Sequence, residues 1–368
     1  MMAWKDKMQG ACAFKNKGRI QMKKMVGKQS YTVLTVISCF IVILFAGSAI
    51  ADVRLTGSGA TFPFPIYSTW FKQYNQAHKD VQINYQGKGS GAGIKDFINH
   101  TVDFAGSDAA MTDEEIAQVK EGVQLLPMTA GSIVIAYNLP GISQPVKLSR
   151  EVYPKIFMSQ IKKWNDPLIA KDNPGVELPD LEITVVRRAD SSGTTFVFTK
   201  HLSAISEEWS KGPGFGTTVK WPDSDKIVAA PKNDGVTATI RQTPGGIGYI
   251  EYGYAILTKV PTALLENKAG KYVAATPQSG AASLSKVQLP EDMRAWLPDP
   301  DGDESYPIVT YTWMMFYKKY EDPKKAETSR NVIEYCLTEG QKVSEKLGYI
   351  PLPENVVKEV IKASKNIK

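Results

Sequence analysis

Residues able to do chemistry gather first in VVRRADSSGTT, residues 185–195. The stretch opens on β-branched residues, passes Arg187, Arg188 and Asp190, then turns through Ser191-Ser192-Gly193-Thr194 into the apolar run Phe196-Val197-Phe198. This order predicts a strand, a turn and a helix start. A helix N-terminus carries N–H groups with no intrahelical acceptor and the positive end of the aligned peptide dipoles, so it suits an oxyanion. Arg188 can add a forked, charge-assisted contact. Ser192 and Thr194 can add hydroxyl donors. Taken alone, the same letters also describe an ordinary N-cap serine in a βα turn.

Three earlier segments supply matching parts. TGSGATFP, residues 56–63, leads through glycines to Thr61 and Phe62 ahead of an aromatic stripe, Ile66, Tyr67, Trp70, Phe71 and Tyr74, at helical spacing. An alternating strand at 81–85 runs into GKGSGAG, residues 87–93, which places Ser90 at a short helix. That turn lacks the Gly-Lys-Ser/Thr of a nucleotide-phosphate loop. A strand over 102–108 ends at Asp108, and Thr112-Asp113-Glu114-Glu115 reads as a capping box for the helix after it.

The elements that must position these residues alternate strand with helix, which predicts an α/β class with mostly parallel order. The apolar run 125–138 crosses into a second domain, and a strand over 307–317 carries the chain back. The pattern predicts an amphipathic helix over 153–163, a surface loop over 209–222, a short helix over 234–241 and a turn into an aromatic strand at 246–252. Helices over 323–347 and 353–363 close the chain. The acidic loop 298–303 lacks the closing acid of a calcium loop.

The net charge of +6, from 44 Lys/Arg against 38 Asp/Glu, belongs to the leader: residues 1–51 hold eight bases and one acid, leaving 36 against 37. That balance argues against nucleic acid as a partner. The leader joins a basic segment to an apolar run and ends in Ala49-Ile50-Ala51, a pattern for an export signal cut after Ala51. An uncleaved anchor and a lipoprotein cut at Cys39 are the alternatives, and Met22 and Met25 are further candidate starts. Of Cys12, Cys39 and Cys336, cleavage would leave Cys336 alone, which excludes an intrachain disulfide. His78, His100 and His201 show no metal-ligand spacing.

In parallel sheets ligands sit beyond the carboxyl ends of strands. Two halves facing a cleft would bring together Thr61, Phe62, Ser90, Ser192, Gly193, Thr194 and the Arg188 guanidinium as donors, with Asp108 as the acceptor. The acceptor is the informative part. A carboxylate beside an anion is repelled unless a proton lies between them. Phosphate still carries a proton near neutral pH and sulfate does not, so Asp108 would admit the first and clash with the second. Asp190 would hold Arg188.

The sequence resembles the periplasmic phosphate-binding proteins of high-affinity phosphate ABC transporters, the PstS family. The resemblance rests on LTGSGATFP (55–63), NYQGKGS (84–90), TVDFAGSD (101–108), IKKW (161–164), VVRRADSSGTTFVF (185–198), Trp209, VKWP (219–222) and GIGYIEY (246–252). It implies a two-lobe periplasmic-binding-protein fold of the second type, each lobe a mostly parallel sheet flanked by helices, with the ligand in the interlobe cleft. The expected division is a signal peptide at 1–51, one lobe from 52–129 and 308–368, and the other from 130–307. Phosphate contacts are implied at Thr61, Phe62, Ser90, Asp108, Arg188, Ser192, Gly193 and Thr194, with Asp190 in support. A monomeric, non-enzymatic periplasmic receptor that serves membrane permease subunits, without cofactor or metal, is implied as well. Ser191 departs from the family, which often has glycine there, and would add strain if the turn needed a positive φ. The competing readings are a phosphatase using Ser192 or Thr194, against which neither a metal cluster nor a Gly-x-Ser-x-Gly elbow is visible, and a receptor for another oxyanion.

Overall fold

The computed structural model of the protein describes residues 52–368. The export-signal expectation for residues 1–51, with Cys12 and Cys39, falls outside them.

Strand β1, Val53–Gly59, shows the period of two that a half-buried strand requires: Val53 and Leu55 are buried, Arg54 and Thr56 exposed. It is followed by β2 (Val81–Gly87), β3 (Phe104–Ser107), β4 (Val123–Tyr137), β5 (Lys147–Leu148) and β6 (Thr184–Arg188). Next come β7 (Ile227–Ala230), β8 (Gly246–Glu251), β9 (Leu264–Glu266), β10 (Tyr272–Val273), β11 (Trp296–Leu297) and β12 (Val309–Tyr317). The main sheet runs β2-β1-β3-β12-β4-β8-β6-β7, with β11 paired to β12, and β10-β9-β5 form a smaller sheet.

The order is mixed. Both flanks are parallel: β1 with β2 and β3, and β6 with β7 and β8. The middle is antiparallel, because β12 returns between β3 and β4. Strand β4 has 15 residues and serves both halves, pairing with β12 from Val123 to Ser132 and with β8 from Ile133 to Tyr137. Its residues beyond Gln124 are all buried, as expected of a strand covered on both faces.

The aromatic stripe of the Phe64–Ala77 helix is core. Tyr67 and Trp70 are fully buried, and each such side chain stabilises the fold by roughly 1.5–3 kcal/mol. Trp70 also changes the end of the chain. Its indole Nε1 donates to the Gly340 carbonyl at 2.7 Å. The helix expected over 323–347 instead stops at Leu337 and continues as two 3₁₀ turns, Glu339–Val343 and Glu345–Leu347, the first of which carries that carbonyl.

Two other expectations need correction. The helix expected over 153–163 ends at Phe157, and Ser159 takes a left-handed φ of 57° just after it. The segment expected as a surface loop over 209–222 anchors in the core through Trp209, which is fully buried and donates from Nε1 to the Gly214 carbonyl at 2.8 Å. The capping box at Thr112 and Glu115 forms, on a single helical turn.

Candidate anion-binding site

Each segment singled out in the sequence follows the carboxyl end of a parallel strand. Thr61 and Phe62 follow β1, Ser90 follows β2, Asp108 follows β3, and Asp190 to Thr194 follow β6. The contacts bring them together. Gly193, first residue of the Gly193–Ile205 helix, lies against Ser90 and Asp108: a Cβ there would stand 2.4 Å from Ser90 Oγ and 2.6 Å from Asp108 Oδ2. Only glycine lets this helix start approach the carboxylate so closely. Gly89 has a φ of +99° and presses against the Asp190 carboxylate in the same way. The Gly91 amide donates to the Ser191 carbonyl at 3.2 Å, so the turns after β2 and β6 meet directly.

The hydroxyls share a pattern. Ser192 Oγ caps its helix by accepting from the Thr195 amide at 3.1 Å. Ser90 Oγ accepts from the Asp108 amide at 3.3 Å. Thr194 Oγ1 accepts from Arg188 Nη1 at 3.3 Å and from Asn233 Nδ2 at 3.2 Å. Thr61 Oγ1 accepts from the Asn233 amide at 3.3 Å and from its Nδ2 at 3.0 Å. All of these side chains are buried. Ser90 Oγ also hydrogen-bonds the Asp108 carboxylate; among the described residues the Thr61, Ser192 and Thr194 hydroxyls donate to no protein acceptor. The backbone amides of Thr61, Phe62, Ser90, Gly193 and Thr194 likewise find none. Buried donors are normally paired, so a concentration of unspent ones marks a place built for an acceptor that the chain does not supply.

Arg188 is buried and held flat by Asp190, Nε to Oδ1 at 2.9 Å and Nη2 to Oδ2 at 2.5 Å. Asp190 also accepts from the Lys232 amide at 2.8 Å. Burial works to raise the Asp190 carboxyl, but the Arg188 hydrogen bonds and charge outweigh it and hold it below the usual range. Asp108 is placed differently. Its Oδ1 accepts from Thr312 Oγ1 at 2.8 Å, which leaves Oδ2 facing Gly193. Burial pushes its carboxyl from 3.8 up to about 7, against the opposing pull of the Thr312 bond and the Arg188 charge. The cluster is therefore rich in donors, carries one cation balanced by its own aspartate, and presents one acceptor oxygen that holds or yields a proton near neutrality. Such a set fits a small oxyanion that shares one proton with the carboxylate.

Ser191 is not among the residues with positive φ, so serine introduces no left-handed strain there. Its Oγ donates to Thr217 Oγ1 at 3.0 Å. A cleft of about 620 Å³, lined by Phe64, Tyr85, Lys88, Lys232 and Tyr254 among others, reaches Thr61 from the surface.

Sequence reasoning missed Asn233, Thr312 and Glu251. Asn233 is fully buried at the start of the Lys232–Gln242 helix. Its Oδ1 accepts from the Glu251 amide at 3.0 Å, behind the threonines. Glu251 is buried as well, and burial lifts its carboxyl well above the usual range while Gly253 and Tyr349 hydrogen-bond it. A signal for Asn233 did exist: it follows β7 as Ser90 follows β2, a small polar residue at a helix start beyond a parallel strand.

Residues 46–339 match the family model of the PBP superfamily domain. The chain is 38% identical over 325 residues to the phosphate-binding protein PstS of Pasteurella multocida, spanning 86% of this chain and 92% of that protein. It is 39% identical over 341 residues to the protein of the same name from Methanocaldococcus jannaschii, spanning 86% and 87%. Among solved structures it resembles a phosphate-binding protein from Stenotrophomonas maltophilia, with a TM-score of 0.69 at 20% identity over 84% of this chain and 93% of that one. A high-affinity periplasmic phosphate-binding protein solved with phosphate gives 0.70 at 22% identity over the same shares, 84% and 93%. These structural likenesses speak to the fold.

Proposed function

The chain belongs to the PBP superfamily and, within it, to the PstS phosphate-binding proteins, and from that premise we propose that it captures inorganic phosphate in the periplasm and hands it to the membrane permease of an ABC transporter. The observation that carries this reading is the single acceptor among the donors. Asp108 Oδ2 faces Gly193, the first residue of a helix whose leading amides have no protein acceptor. A monoanionic or dianionic phosphate has a proton to place between itself and that oxygen, and sulfate at neutral pH has none. The contacts proposed are those of Thr61, Phe62, Ser90, Asp108, Arg188, Ser192, Gly193 and Thr194, with Asp190 fixing Arg188.

In this reading residues 52–129 and 308–368 form one lobe and 130–307 the other, and the protein acts as a monomer. The change of partner along β4 from β12 to β8 between Ser132 and Ile133 supports a crossing there. Closure of the lobes over the anion would present a changed surface to the permease. The phosphatase reading has less behind it. Ser192 and Thr194 have no histidine partner among the described residues, and the buried His201 is engaged by Tyr153 and the Pro298 carbonyl.

Calorimetric titration of phosphate into purified, phosphate-free protein, with sulfate as control, tests the proposal. One-site phosphate binding with silent sulfate is expected. Comparable heats from both anions would discard the role of Asp108, and silence from both, in folded protein, would sink the phosphate reading.

A further inference from the structure

Asn233 stands outside the proposed contacts, yet it touches residues from both sides of the site. A threonine hydroxyl has one hydrogen and two acceptor lone pairs. At Thr61 both lone pairs are used, by the amide and the Nδ2 of Asn233. At Thr194 both are used, by Arg188 and by the same Nδ2. Each hydroxyl can then only donate. The carboxamide cannot turn over to undo this, because its Oδ1 accepts from the Glu251 amide at 3.0 Å and its two Nδ2 hydrogens are divided between the threonines.

We infer that Asn233 is a positioning residue for anion binding: by donating to Thr61 and Thr194 at once, it fixes both hydroxyls as donors aimed at the anion and ties the turn after β1 to the turn after β6. The inference rests on the phosphate reading. The general consequence is selective. Hydroxyls free to rotate serve donors and acceptors alike; with their lone pairs filled, they serve an acceptor-rich ligand only. The ordering of Thr194 lies within the 130–307 lobe and precedes the anion, so it is not charged against binding, whereas the bonds to Thr61 cross the two proposed lobes and form as they close.

The test is a double-mutant cycle read by phosphate calorimetry, with thermal melts confirming that each variant is folded. Asn233→Ala lowers phosphate affinity about tenfold in the otherwise unaltered protein. In a Thr61→Val/Thr194→Val background, where no hydroxyl remains to be aimed, the same change alters affinity less than about twofold. The nearly isosteric Asn233→Asp keeps the Glu251 contact but offers the threonines an acceptor, so both hydroxyls turn away from the anion. Its affinity falls about a hundredfold or more at pH 8. The gap from the unsubstituted protein narrows toward pH 5, as the new carboxyl regains a hydrogen to donate. Equal losses from Asn233→Ala in both backgrounds would reduce Asn233 to packing and overturn the inference. So would unchanged affinity in Asn233→Ala and Asn233→Asp. If the unsubstituted protein binds no phosphate, the phosphate reading fails first; if it binds and the variants match it, the role of Asn233 alone fails.

Discussion

The cluster around His201 and the cluster around Arg188 are equally dry, and they treat hydrogen bonds in opposite ways. His201 is 1% exposed. Its Nδ1 donates to the Pro298 carbonyl at 2.6 Å and its Nε2 accepts from the Tyr153 hydroxyl at 2.6 Å. Burial pulls its imidazole down to about 4, so it stays neutral. Beside it Arg150 grips Asp299 with two bonds, at 2.6 and 2.8 Å. There the imidazole is satisfied at both nitrogens, and the cluster fastens the 298–299 segment to the helix carrying His201. Around Arg188 the Thr61, Ser192 and Thr194 hydroxyls accept and do not donate, amides point at no acceptor, and one carboxylate oxygen faces Gly193. The lesson is that buried polarity alone marks nothing. What distinguishes a ligand site is the surplus left after the protein's own pairs are counted.

The comparison can be broken at either end. The largest effect is expected at Arg188. Arg188→Ala strips the cation from a buried anion and should cost about 2–5 kcal/mol of phosphate affinity by calorimetry. An unchanged affinity would remove Arg188 from the site. Asp108→Asn should raise sulfate affinity about tenfold or more relative to phosphate. Sulfate exclusion as strong as before would end the proton argument.

The same substitution carries a stability signature. Burial holds the Asp108 carboxyl at about 7 against 3.8 as its ordinary value, so the folded protein binds this proton more tightly than the unfolded chain. Ligand-free stability therefore declines as pH rises from about 4 to about 7 and levels off above. Asp108→Asn removes that cost, and its gain in melting temperature without phosphate should be larger at pH 8 than at pH 5. An equal gain at both values would contradict the raised carboxyl. The smallest effect on binding is expected in the other cluster. Tyr153→Phe orphans His201 Nε2 and should cost about 1–3 kcal/mol of stability in denaturant melts, with phosphate affinity untouched. A fall in affinity without a loss of stability would show that the two clusters are not separate.

Much of the proposed site was legible because its grammar is local. A strand, a glycine turn and a hydroxyl at a helix start occur within a dozen residues, and this pattern located Thr61, Ser90 and Ser192. Asp108 was legible as a strand-end acid. Thr312 was not, since a threonine inside a buried strand is what β-propensity alone would place there. Its partner lies across the sheet and far away in sequence. Asn233 sits in Lys232-Asn233-Asp234-Gly235, which reads as a polar turn, and its contacts with Thr61 and Thr194 exist only in the folded chain. In the fold, the alternation of strands and helices predicted the parallel flanks. The antiparallel middle depends on where β12 inserts, and no local pattern encodes an insertion point.

That insertion also sets an order of events. Strand β12 lies between β3 and β4, with Phe316 opposite Phe104 and Val309 opposite Ser132. As the chain folds, the first three strands can pair among themselves, but one side of β3 stays bare until residues near 316 join it. A bare strand edge is a template for wrong partners, and contacts this distant in sequence form late. The folding chain is thus held back from its final shape by its own topology. Asp108 remains without its Thr312 partner until the last strand arrives, so the pocket is finished only when β12 has inserted.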